Sequence, residues 1–249
     1  MDSKKRQGWA LSSVLIVLSL IPLKAMANTD AVETGRLIAV LLDAGRIVIA
    51  DNQLLINDAK KTYKGFTPEV FERQVIDNFR ERVNIDLSNL ADETVPDAAR
   101  KLLALLVQVE KMVVADVQRI INMNGIGFKG FFPTAFASSA VSKLRAFSDV
   151  NVKQTMIAPR NPRNAPDPFE AKMLEKFADS KYPRHGEKVV SEFIEGGKAV
   201  RVMLPLYYSK SCLACHGTPK GEKDVSGYPK EGRQEGDLGG AISVRLEVK

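Results

Sequence analysis

The stretch KVVSEFIEGGKAVRVMLPLYYSKSCLACHG, residues 188–217, carries the two signals around which the chain is read. Its first part is a pair of runs rich in β-branched and aromatic residues, 188–194 and 198–208, on either side of Gly196-Gly197. That pattern predicts a β-hairpin with a two-residue turn. Its second part is Cys212-Leu213-Ala214-Cys215-His216. Two thiols three residues apart, followed at once by an imidazole, is the spacing that attaches a c-type haem. The sulfurs reach the vinyl groups of neighbouring pyrroles, and His216 comes up beneath the iron as proximal ligand.

Three other readings of these residues are weaker. A redox dithiol calls for a strand-to-helix step in a βαβ unit, whereas here a glycine-rich loop follows the motif. A zinc site needs a fourth ligand, and the chain has no other cysteine and one other histidine, His185. A disulfide across two intervening residues is strained and leaves His216 unexplained. The sequence therefore predicts one covalently attached haem c, with Cys212, Cys215 and His216 as its cofactor-binding residues and His216 as the metal ligand.

Downstream, residues 217–238 read as a long loop rich in glycine and charge. The chain ends on a strand in which Ile242, Val244, Leu246 and Val248 alternate with Ser243, Arg245 and Glu247, one face buried and one wet. Upstream, residues 150–158 look like a strand, and 160–166 form a proline-rich loop. Asp167-Pro168-Phe169-Glu170 opens a helix with an N-cap, a first-position proline and a third-position glutamate.

The first half reads as helical. Leu37, Leu41, Ala44, Val48 and Leu55 share one face of a helix over 31–56, which Asp51 interrupts. Thr67-Pro68 starts a second helix that runs to about residue 83. A third follows Pro96-Asp97 with the stripe Leu102, Leu106, Val109, Val113, Val117 and Ile120. It stops at Asn122-Met123-Asn124-Gly125, where a left-handed cap fits. The next residues, Gly125 to Pro133, hold Phe128, Phe131 and Phe132, which suit either the core or the face of a haem. A short helix over 133–147 completes this half. The fold class is α+β, with long N-terminal helices packed on a small antiparallel sheet.

The 249 residues carry a net charge of +6. Residues 1–27 read as a secretory signal: Lys4, Lys5 and Arg6, an apolar run over 10–23, then the cleavage site Ala25-Met26-Ala27. The run is shorter than the roughly 20 residues a membrane span needs, so cleavage after Ala27 leaves 28–249 as a single exported domain with no membrane span. The leader holds four of the basic residues and one acidic one, so the mature charge falls to +3, which makes no case for nucleic acid. In a Gram-negative cell the compartment is the periplasm.

The pieces Gly125-Ile126-Gly127-Phe128-Lys129-Gly130-Phe131, Arg160-Asn161-Pro162, Ala165-Pro166-Asp167, Cys212 to Gly217 and Gly236 to Val244 together resemble the PAS-like c-type haem domain. That family is found in the periplasmic sensor regions of chemoreceptors and histidine kinases, and as stand-alone exported proteins. The resemblance spans roughly residues 35–248. It implies a PAS-like sheet, one covalent haem, and a role in redox or small-ligand sensing or in electron transfer. Transmitter and kinase segments have no counterpart here, so a signal would pass to a separate partner.

The sixth ligand stays open among His185, Met123, Met156, Met203, water and an empty position. Lys129, Arg160 and Arg163 are candidates to pair with haem propionates. No catalytic constellation is visible, and the chain is read as a non-enzyme. Its partner is then a redox protein or a small gaseous ligand. The leading function is a redox- or ligand-responsive module; the alternatives are an electron carrier and, behind it, a peroxidase-type enzyme.

Overall fold

The computed structural model describes residues 23–248. Most of the leader reading falls on residues 1–22, outside those described; Ala25-Met26-Ala27 lies in the opening turns of the first helix.

That helix, α1 (Leu23–Asp51), is the axis of the molecule. It is longer than the expected 31–56 segment at its start, and it ends at Asp51, which is exposed. A single turn, α2 (Gln53–Ile56), follows. Residues 37–42 are all essentially inaccessible, rather than one face of them. The helix lies in the middle, between a sheet on one side and three further helices on the other, and a helix surrounded on all sides is apolar all round.

Those helices are α3 (Pro68–Val83), α4 (Asp97–Ile121) and α5 (Pro133–Leu144). Helix α3 starts as the sequence dictates: the Thr67 hydroxyl accepts from the Val70 N–H at 3.3 Å, and Pro68 needs no partner for a missing N–H. It buries Phe71, Val75 and Phe79, each worth roughly 1.5–3 kcal/mol of transfer free energy. In α4 the expected stripe is buried at Leu106, Val109 and Val113, but the buried face is wider and turned toward one side of it. Ile120 is exposed and Ile121 buried, and Leu103, Val107, Glu110 and Val114 point inward, because α1, α3 and α5 all pack on it. Its last residue is followed by a right-handed Asn122, and the left-handed position falls on Gly125 (φ +76°).

The sheet has the order β1-β4-β3-β2 and is antiparallel throughout, with β1 (Asn151–Thr155), β2 (Val190–Ile194), β3 (Ala199–Tyr207) and β4 (Leu238–Glu247). Val152, Val244 and Val202 stand in register across three strands and face α1. The approach is close at Gly35, where a Cβ would sit 2.7 Å from Val202 Cγ2.

The opposite face of β4 is wet at Glu247 and partly at Arg245, as expected, but covered at Ser243. Helix α6 (Pro168–Ala178) lies across it, packing Met173, Leu174 and Phe177 on Met203 and Ala241, so Ser243 is buried too. Its capping box forms as read, Asp167 accepting from the Glu170 N–H and Glu170 from the Asp167 N–H. The same carboxylates dock the helix: Arg201 meets Asp167 at 2.9 Å and Glu170 at 3.1 Å, and Lys153 meets Glu170 at 2.7 Å.

The hairpin is present, but its loop is longer than two residues. Ile194 pairs with Ala199, and the loop between them places Glu195, Gly196 and Gly197 all at positive φ. Only the two glycines take that conformation freely. The assembled architecture is the α+β arrangement of helices on a small antiparallel sheet. Among the described residues no helix is long and apolar enough to cross a membrane.

Candidate functional site

Strand β3 carries the chain out of the sheet into the cysteine motif. The register slips between Leu206 and Tyr207, a bulge that twists the strand end away from its neighbour. Tyr208 is then held by two backbone bonds to the incoming side of β4, its N–H to Asp237 O at 2.9 Å and its carbonyl from Gly236 N–H at 2.8 Å. A 3₁₀ turn over Lys210–Cys212 runs directly into α7 (Leu213–His216). Two thiols three residues apart on successive helical turns lie on one side of the segment, and both are free and half-buried. Gly217 ends the turn where only glycine fits, since a Cβ would lie 2.6 Å from the Leu213 carbonyl oxygen.

The imidazole of His216 rests against the Tyr208 ring, centroids 5.0 Å apart and tilted by 33°. Its Nδ1 is 2.8 Å from Glu231 Oε2. With Nδ1–H donated to the carboxylate, Nε2 is left as the basic nitrogen, the tautomer a metal ligand requires. Burial pulls the His216 pKa below its ordinary value, against the opposing pull of Glu231, which favours the neutral ring. Burial also pushes the Cys215 thiol up, with Asp224 adding to it. For Glu231 burial opposes ionisation, but the hydrogen bonds from Arg160 and His216 outweigh it and the net direction is down.

Arg160 ties the site together. Its Nε donates to Glu231 Oε1 at 2.6 Å and Nη2 to Glu231 Oε2 at 3.0 Å. Nη1 donates to Asp224 Oδ2 at 2.6 Å, and Nη2 also reaches the Cys215 carbonyl at 2.9 Å. The guanidinium lies over the Tyr228 ring. The loop over 217–237 is thereby folded back on the motif, and backbone bonds from Gly232 to Gly217 O (3.1 Å) and from Arg233 to His216 O (2.8 Å) close it.

Cys212, Cys215 and His216 are thus brought together as the spacing requires, and two free thiols beside an imidazole with an open Nε2 fit a c-type haem. The propionate candidates fare differently. Arg160 is fully engaged by protein carboxylates. Lys129 is buried, with Nζ donating to the Met123 and Ile126 carbonyls, so it closes its own loop. Arg163 is exposed.

Among the candidate sixth ligands, Met203 is sealed beneath α6, which removes it from the site. Met123 is exposed in the loop after α4. His185 is exposed and borders a cleft of about 200 Å³ between α1 and the end of β3, lined in part by Asp43, Arg82, Leu206 and Tyr207. Met156 follows β1 directly and lies beside Gly240, at the sheet end from which the motif hangs.

The three phenylalanines divide. Phe131 enters the core edge-on to Phe136 (6.2 Å), while Phe128 and Phe132 stack on each other at 6.1 Å, with Phe132 exposed. The residues that sequence reasoning missed are Glu231, Asp224 and Tyr208. Glu231 is 15 residues beyond His216, in a loop of mixed charge, with no motif to single it out.

A family model described as Tll0287-like matches residues 27–246. No curated protein matches. One solved structure that resembles the chain is described as the crystal structure of the cyanobacterial haem protein Tll0287. It is 19% identical, with 61% of this chain and 96% of that chain covered and a TM-score of 0.43. The family match extends over almost the whole span in which the sequence resembles the PAS-like haem domain, and the chain belongs to the Tll0287-like family.

Proposed function

We propose that this chain is a monohaem c-type protein of the periplasm that responds to redox state or to a small ligand and passes the signal to a separate protein. The observation that carries the reading is the geometry at the motif: two free thiols on one helical segment, and His216 with Nδ1 occupied by Glu231 and Nε2 open. Membership of a family whose namesake is described as a haem protein supports the cofactor. A bound haem supplies a one-electron couple and an iron coordination site. The residues of this chain hold it, through Cys212 and Cys215, and orient its proximal ligand.

Sensing and simple electron transfer differ in the sixth position. A carrier keeps both axial ligands through the redox cycle, whereas a ligand sensor needs a labile or vacant one. Met203 is sealed in a core, Met123 is on an exposed loop and His185 is at the surface, which favours a labile site. Carbon monoxide is therefore expected to bind the ferrous protein within seconds at neutral pH, with a shifted Soret band. A ferrous spectrum indifferent to saturating carbon monoxide would instead make the protein an electron carrier. Substitution of Met156 by Ala would then test the methionine nearest the motif's end of the sheet.

A further inference from the structure

We infer that Glu231 is the positioning residue that sets the donor strength of the proximal imidazole, with Arg160 holding it in place; this rests on the haem reading above. Three contacts carry it. Glu231 Oε2 accepts from the His216 Nδ1–H at 2.8 Å, and the same carboxylate accepts from Arg160 Nε at 2.6 Å and Nη2 at 3.0 Å.

The carboxylate is not needed merely to close the loop. Gly232 and Arg233 already bond to the Gly217 and His216 carbonyls, and Asp224 alone would anchor Arg160 to the loop. Glu231 adds one thing these do not, a carboxylate hydrogen-bonded to Nδ1 of the ligand ring. A carboxylate that accepts from Nδ1–H raises the basicity of Nε2 and fixes the plane of the ring. A more basic ligand favours ferric over ferrous iron and so lowers the midpoint potential. Arg160 comes from the connection after β1, 71 residues away in sequence, so the tuning group is registered against the sheet and not against the loop alone.

The test is a potentiometric titration of the purified haem-loaded protein and its Glu231→Gln variant. Glutamine keeps the size, and its amide oxygen can accept the same hydrogen bond from His216; it removes the charge and the acceptor that Arg160 Nε uses. At the potential where the wild-type haem is half reduced, the variant is expected to be at least tenfold in favour of ferrous, an upward shift of about 59 mV for a one-electron couple. Arg160→Lys, which keeps the positive charge but cannot hold both carboxylate oxygens in a planar fork, is expected to move the ratio in the same direction. An unchanged ratio in Glu231→Gln, with the haem still bonded through both cysteines, would overturn the inference; an unchanged or opposite ratio in Arg160→Lys would overturn the part given to Arg160. A wild-type protein without haem would refute the cofactor reading itself, a separate and visible failure. Should Glu231→Gln fail to mature, proton NMR of the cyanide-bound ferric wild type decides. A slowly exchanging His216 Nδ1 proton is expected, and one that exchanges as in free imidazole would contradict it.

Discussion

Glu110 is wholly buried on α4, and neither carboxylate oxygen has a hydrogen-bond partner. Gly45 on α1 makes room for it: a Cβ there would lie 2.8 Å from Glu110 Oε2 and 2.8 Å from the Phe136 ring of α5. Burial holds its pKa well above the ordinary carboxyl value. The folded chain keeps this proton at a pH where the unfolded chain, with a pKa of about 4.3, has lost it. Stability therefore falls as pH rises above that value. Glu110→Met is expected to remove this slope and to stabilise the protein at pH 8 by about 1–3 kcal/mol, with less gain at pH 4. Urea unfolding at the two pH values checks it, and equal effects at both would contradict it. In sequence Glu110 lies outside the stripe of Leu102, Leu106, Val109, Val113, Val117 and Ile120; three helices closing on α4 put it inside, which no local pattern announces. The site divides the same way. Cys212, Cys215 and His216 were legible because the chemistry fixes their spacing within one turn. Glu231 and Asp224 were not, because what selects them is Arg160, 71 and 64 residues away.

At the scale of elements, the parts set by neighbouring residues were readable. The Thr67 and Asp167 caps and their first-position prolines form as the rules require. The parts set by packing were not. The Gly196-Gly197 loop is longer than its dipeptide suggested, the buried face of α4 is wider than its stripe, and β4 is covered at Ser243 on its second face because α6 crosses it there. The contact between α1 and the sheet shows what packing demands of sequence. Gly35 lets the helix lie on Val202 and Leu246, and a methyl group there has nowhere to go. Gly35→Ala is expected to destabilise the protein by about 1–3 kcal/mol through overpacking, offset only in part by the better helix propensity of alanine. A lower denaturation midpoint with an unchanged m-value would be the signature. A midpoint equal to or above that of the wild type would show that the helix rests less tightly on the sheet than described.

For the whole molecule, α1 separates a helical layer from the sheet, and the motif hangs from the sheet's end under a loop pinned by Arg160. The proposed function asks for a scaffold for a tethered group. A cofactor held by two covalent bonds would need no deep enclosing pocket, and Tyr208 and Glu231 touch the ring of the proposed ligand, His216. The central claim is that Cys212 and Cys215 carry one haem, and acid–acetone extraction of the purified protein tests it most directly. The account predicts that the colour stays with the precipitated protein, and that Cys212→Ser or Cys215→Ser leaves one thioether with a red-shifted α-band in the pyridine spectrum. Colour that moves wholly into the organic phase, or single-cysteine variants whose spectra match the wild type, would contradict it.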